Sequence, residues 1–232
     1  MSVLVAGNGS LLDRAGETFA AASRLVVATD DARALDWCAR LGTADVRRES
    51  RYLGVLGNRG TLGGVFDACD PDIVFADLTA GGATVANPLE AYCRAVLVPL
   101  ERLAAESAGR GVRYVAVLRE TDLREAADAA EAVVRSAFRG DPSRCAVVRI
   151  DREPRGAQWS AVVEGIVEAG SGVHRVVRDE TSGAALLRPV SRGPAPDVRE
   201  PYRELVRRLD EGDPAFERTL AEIARAVREH VS

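Results

Sequence analysis

The chain contains no lysine; every one of its 31 basic residues is arginine. That excludes any mechanism that rests on a lysine side chain. Histidine is nearly as scarce. His174 and His230 stand far apart in sequence, which argues against a histidine-based metal site or a catalytic triad. The four cysteines, Cys38, Cys69, Cys93 and Cys145, form no CxxC and have no nearby histidine. Three of them fall in apolar helix or strand patterns and read as buried free thiols. No apolar run reaches the roughly eighteen residues a membrane span needs. The first residues lack the basic flank of a signal peptide, so the expected location is cytoplasmic. A net charge of −4 gives no reason to expect nucleic acid or an anionic membrane as partner.

What is present points to an α/β protein. A length of 232 residues suits one α/β domain with a small appendage. The organising stretch is Pro71–Leu118. Two short runs rich in Val and Ile, Asp72–Ala76 and Arg113–Leu118, read as buried strands. Between them, Leu89, Cys93, Val96, Leu97, Leu100, Leu103 and Ala104 recur at helical spacing. Pro88 suits the first turn, and Gly109 and Gly111 supply the stop. Pro99 predicts a kink within the helix. Strand, helix and strand make a right-handed βαβ unit with parallel strands.

Ser2–Ala6 is a first strand, followed by Gly7-Asn8-Gly9-Ser10 and a helical pattern through Leu11, Leu12, Ala15, Phe19 and Ala22. A glycine turn at that place can hold a phosphate through free N–H groups. The dinucleotide pattern G-x-G-x-x-G wants a third glycine at Leu12 and does not find one. Gly7, Gly9 and Ser10 are the candidate phosphate contacts. Asp30, after the strand Arg24–Thr29, is the candidate ribose contact, with a helix N-cap as the alternative role for Asp30 or Asp31. Gly42–Arg59 is less regular, with Tyr52–Leu56 as a short strand, and Thr61–Ala68 is a helix. Leu123–Phe138 is a further helix and Cys145–Ile150 a parallel strand. Six strands alternating with helices predict an open, doubly wound parallel sheet with Ser2–Ala6 inside it. Past Asp151 come the helix Trp159–Ala169, short strands at His174–Arg178 and Ala184–Val190, and a C-terminal pair, Tyr202–Leu209 and Phe216–Val231. The expected division is a nucleotide-binding core over 1–150 and a reduced substrate-side region over 151–232. Trp37 and Trp159 read as core, and Arg124, Arg135, Arg139 and Arg144 as a solvated face.

Val74-Phe75, then Asn87-Pro88-Leu89-Glu90-Ala91, the long helix and the strand Arg113–Leu118 resemble the extended short-chain dehydrogenase/reductases. The branch they are most similar to is the capsule-polysaccharide UDP-sugar 4,6-dehydratases. Leu53-Gly54 and Leu62–Phe66 are similar to that branch's third strand and following helix. Arg155-Gly156, Gly170–Arg178 and Asp179-Glu180-Thr181 resemble its substrate-side loop. The resemblance implies a Rossmann-like fold, a nucleotide-sugar or related small-molecule ligand, and NAD(P) as the cofactor.

The departures fall on the chemistry. The family's Ser/Thr-Asp-Lys run reads Leu118-Arg119-Glu120-Thr121, and its Tyr-x-x-x-Lys or Met-x-x-x-Lys helix reads Ala126–Arg135. The lysine that would hold the nicotinamide ribose and lower a phenol pKa is missing. The resemblance also sets Asp77 close to the nicotinamide ring. Asp77, Arg119, Glu120 and Asp122 are the candidate catalytic residues, expected as one cluster at the C-terminal ends of adjacent strands. No metal ligands are identified. Three functions follow: a non-catalytic relative that binds a ligand or partner enzyme, a non-redox epimerase or eliminase, and an NAD(P)-dependent dehydratase with a rearranged site. The first implies no tightly bound cofactor; the third leaves NAD(P) open. Relatives of this fold commonly pair through the helices matching Pro88–Ser107 and Leu123–Phe138, which implies a homodimer or higher symmetric oligomer.

Overall fold

The computed structural model describes residues 1–11, 18–19, 22–29, 47–52, 59–79, 87–120, 123–154 and 158–228, with residues 47–52 and 59–61 described by their backbone. Among the described residues, eight strands form one sheet: β1 (Ser2–Gly7), β2 (Arg24–Thr29), β3 (Arg47–Tyr52), β4 (Ile73–Asp77), β5 (Arg113–Arg119), β6 (Cys145–Ile150), β7 (Gly172–Arg178) and β8 (Ala185–Val190). Their order is β3-β2-β1-β4-β5-β6-β7-β8. Every pairing is parallel except β7 with β8. The chain is a doubly wound, Rossmann-like α/β protein with β1 inside the sheet. The direction of winding reverses between β1 and β4, where open α/β sheets form their ligand crevice.

Alternation along the strands builds the two faces. Leu4, Ala6, Val74, Ala76, Tyr114, Ala116 and Leu118 point to one core; Val3, Val5, Ile73, Phe75, Val115 and Val117 point to the other. The first face carries α1 (Arg59–Cys69), α2 (Pro88–Tyr92), α3 (Val98–Arg110) and α4 (Arg124–Ala137), with the C-terminal pair α6 (Arg199–Glu211) and α7 (Phe216–Arg228) outside them. The second carries α5 (Gln158–Ala169), whose Trp159 is buried in the core.

Three expectations need adjustment. The third strand is Arg47–Tyr52 rather than Tyr52–Leu56, and residues 53–56 lie outside the described part. A charged strand is at home here because β3 is the edge of the sheet, with a single neighbour. The long helix is interrupted by a π turn, Cys93–Leu97, directly before Pro99. Proline has no N–H to close the usual turn, and the Val98 N–H reaches five residues back to the Cys93 carbonyl. Asn87 caps the start by accepting from the Leu89 and Glu90 N–H groups, and Gly111 ends it in the left-handed conformation.

The third adjustment concerns α4. Residues Ala126 to Val134 are all buried. The sheet covers one side, and Leu220, Ile223, Ala224 and Val227 of α7 belong to the same core on the other. α7 of the same chain thus packs on the side of α4 turned away from the sheet. Arg135 is half-buried rather than part of a solvated face, whereas Arg139 and Arg144 are exposed and paired to Asp197 and Asp141. No helix among the described residues is long and apolar enough to cross a membrane.

Leu220→Ala, at a site with no solvent exposure, should destabilise the fold by about 2–5 kcal/mol in urea unfolding. Burial pushes the Cys93 and Cys145 thiols up to about 12, leaving little thiolate at neutral pH. Peptide mapping after iodoacetamide should therefore find both, together with buried Cys69, alkylated only in denaturant.

Candidate functional site

The reversal point is closed by one carboxylate. Asp77 ends β4, in register with Gly7 at the end of β1. Its backbone carbonyl accepts the N–H groups of Asn8 (3.0 Å) and Gly9 (2.9 Å), and its Oδ2 accepts the Leu11 N–H at 2.8 Å. Three N–H groups of the glycine turn are thus already spent on a residue of the chain itself. Asn8 adds a second stitch: its Oδ1 accepts from the Thr79 N–H (2.8 Å) and Oγ1 (3.1 Å).

The glycines are needed for this closeness. Gly7 sits at φ +136°, and a Cβ there would lie 2.1 Å from the Asp77 carbonyl oxygen. A Cβ on Gly9 would lie 2.2 Å from Cγ and both carboxylate oxygens of Asp77. The space over Gly9 therefore holds the Asp77 carboxyl group. Arg119 of β5 donates through Nη1 to Asp77 Oδ1 and through Nε to Glu153. Ser10 Oγ donates to the other oxygen of Glu153, and Arg119 Nη2 reaches Ser10 Oγ at 3.4 Å. Burial pushes the Asp77 carboxyl above the usual carboxylate range, opposed by the Arg119 guanidinium and the Leu11 N–H.

Strand parity divides the expected catalytic cluster. Asp77 and Arg119 lie on the face of Phe75 and Val117 and meet there; Glu120, one residue on, turns to the face of Leu118. Glu120 instead contacts Arg175 and Arg149, both at 2.7 Å. Asp77 thus lies against the glycine turn rather than standing alone beside a ring site, because its register partner is Gly7. Asp30 and Asp122 lie outside the described residues.

A second cluster escaped the sequence reading. Arg149, 2% exposed and next to last in β6, ion-pairs with Asp128 (2.7 Å) and Glu131 (2.9 Å) on α4 as well as Glu120. Arg192 reaches Glu131 at 2.8 Å, and Arg228 of α7 reaches Asp128 at 3.0 Å. The signal was available. An arginine within the apolar strand Cys145–Ile150, and two acids at i, i+3 on an otherwise apolar helix, require one another once all three are buried.

No protein-family model matches the sequence, and no curated protein matches it. Solved structures do resemble the fold. The dTDP-glucose 4,6-dehydratase of Bacillus anthracis, in complex with NAD, superposes at TM-score 0.57 and 9% identity, covering 89% of this chain and 81% of that one. An uncharacterized protein from Mycobacterium Paratuberculosis gives 0.55 and 13%, covering 98% and 94%. The Bordetella bronchiseptica enzyme WbmH, in complex with NAD+, gives 0.52 and 11%, covering 90% and 82%. At these identities the likeness establishes a shared fold. In the glycine turn of this chain the Asp77 carboxylate fills the space over Gly9 and takes the Leu11 N–H, and the Asp77 backbone carbonyl takes the Asn8 and Gly9 N–H groups, donors of the kind a phosphate uses. Asp77→Ala should cost about 3–5 kcal/mol by leaving the Arg119 guanidinium short of its buried partner. Gly9→Ala should cost a similar amount by evicting the same carboxylate, and in urea unfolding the double variant should fall well short of the sum. Full additivity would show that the two positions are independent.

Proposed function

We propose that this protein is a short-chain dehydrogenase/reductase-like protein without the oxidoreductase cycle, acting as an accessory or ligand-binding protein in a bacterial sugar or natural-product biosynthetic pathway. The observation that carries this reading is the Asp77 carboxylate seated over Gly9 and bound to the Leu11 N–H. It places a negative charge where a pyrophosphate would lie, and like charges that close repel strongly in a buried setting. The missing Tyr/Lys pair removes the proton-transfer partner of the hydride step, an effect of about 10²–10⁴ in rate. The other candidate acid in the described part, Glu120, is committed to Arg149 and Arg175, which supports a binding role over general acid–base work. The similarity in fold to a dTDP-glucose 4,6-dehydratase supports a sugar-related setting.

Titration of the purified chain with NAD⁺, NADP⁺ and their reduced forms tests this. No saturable binding in the micromolar range is expected, and incubation with UDP-GlcNAc should leave its mass unchanged. Micromolar dinucleotide binding, together with loss of water from the sugar, would overturn the reading.

A further inference from the structure

Among the described residues, the buried and half-exposed ion pairs around Arg149 do not balance. Five arginines, Arg135, Arg149, Arg175, Arg192 and Arg228, share four carboxylates, Glu120, Glu125, Asp128 and Glu131. Glu131 alone serves three guanidinium groups while fully buried. Arg149, Arg175, Arg192 and Arg228, with Glu125 and Asp128, line a cleft of about 720 Å³ between the start of α4, the end of β8 and the end of α7, where Arg124 adds a further guanidinium. An excess of positive charge in a partly desolvated cleft attracts an anion more strongly than the same charges do on an open surface.

The hydrogen-bond pattern gives a second, independent indication. Two donors on residues that line this cleft lack an acceptor among the described residues: Arg149 Nε and Arg175 Nε. Arg149 Nε lies 2.7 Å from Glu120, but its N–H is not aimed at that oxygen. Buried donors without acceptors are rare, and two in one place call for a group that supplies oxygens.

We infer that this cleft is a binding site for a small dianionic oxyanion, a phosphate or dicarboxylate group, held by Arg149, Arg175, Arg192 and Arg228. Paired guanidinium forks match the planar or tetrahedral oxygen sets of such groups. The site lies on the opposite face of the sheet from Asp77 and does not depend on whether the glycine turn takes a dinucleotide. It deepens the ligand-binding reading by naming the chemistry of the ligand.

Isothermal titration of the full chain with inorganic phosphate, pyrophosphate and succinate, at constant ionic strength in chloride, tests it. Saturable binding of at least one is expected, and which one binds tells a phosphate source from a carboxylate source. The double variant Arg175→Gln/Arg228→Gln should weaken that binding by about ten- to a hundredfold. Arg203→Gln, an exposed position on α6, should leave it unchanged. Absence of saturable binding by all three anions, or binding by the double variant equal to that of the unaltered chain, would overturn the proposal. Failure here with no dinucleotide binding would leave the proposed loss of redox function standing; dinucleotide binding with oxyanion binding retained would do the reverse.

Discussion

The carboxylate of Asp77 ties together chain segments that ordinarily part to admit a ligand. Its carbonyl and side chain hold the turn after β1, its partner Arg119 brings in the end of β5, and Glu153 brings in the segment after β6. All of this happens at the one position where a doubly wound sheet leaves a crevice. A guanidinium and oriented backbone N–H groups are what such a crevice would offer to a bound anion. Here the anion is covalently part of the sheet, so it carries no association cost and cannot diffuse away.

Much of the fold was legible because its signals are local. Valine-rich runs of five to seven residues, Pro88 and Gly111 at the ends of a helix, and the apolar stripe of Leu97, Leu100 and Leu103 each declare themselves within a few residues. Edge strand β3 was misplaced because a strand with one neighbour carries no apolar requirement strong enough to be seen. The site was less legible. Glycines at 7 and 9 mark a close approach, but sequence does not say whether the approaching group is a cofactor or a neighbouring strand. That depends on the Gly7–Asp77 register, set by residues seventy positions apart. Glu120 and Arg119 are adjacent in sequence yet serve opposite faces, a separation that the two-residue period of a strand predicts once strand ends are known.

The wholly arginine complement suits the interior of this protein. Arg149, Arg119 and Arg113 are buried or half-buried, and each makes several directed contacts: Arg113 reaches the carbonyls of Ile166, Val167 and Gly170 and closes the end of α5. A planar group with five donors in fixed directions can serve several acceptors at once, whereas an ammonium is more strongly hydrated and gives up its charge more readily when buried. Such a network contributes little net stability over an apolar core, but removing any one member leaves the remainder uncompensated. The arrangement fixes which helix packs on which strand more than it strengthens the packing.

Enclosure of α4 by α7 has a consequence for the order of events during synthesis. Arg228 bonds to Asp128 across 100 residues, and the side of α4 turned from the sheet finds much of its cover in residues 216–227. A ribosome adding roughly 5–20 residues per second exposes α4 for several seconds before that cover exists. Contacts of such long range also slow the search once the chain is free. The nascent protein must therefore pass through a stage in which its most thoroughly buried helix is only partly covered, and its demand on chaperones should be concentrated there, not in the parallel strands laid down first.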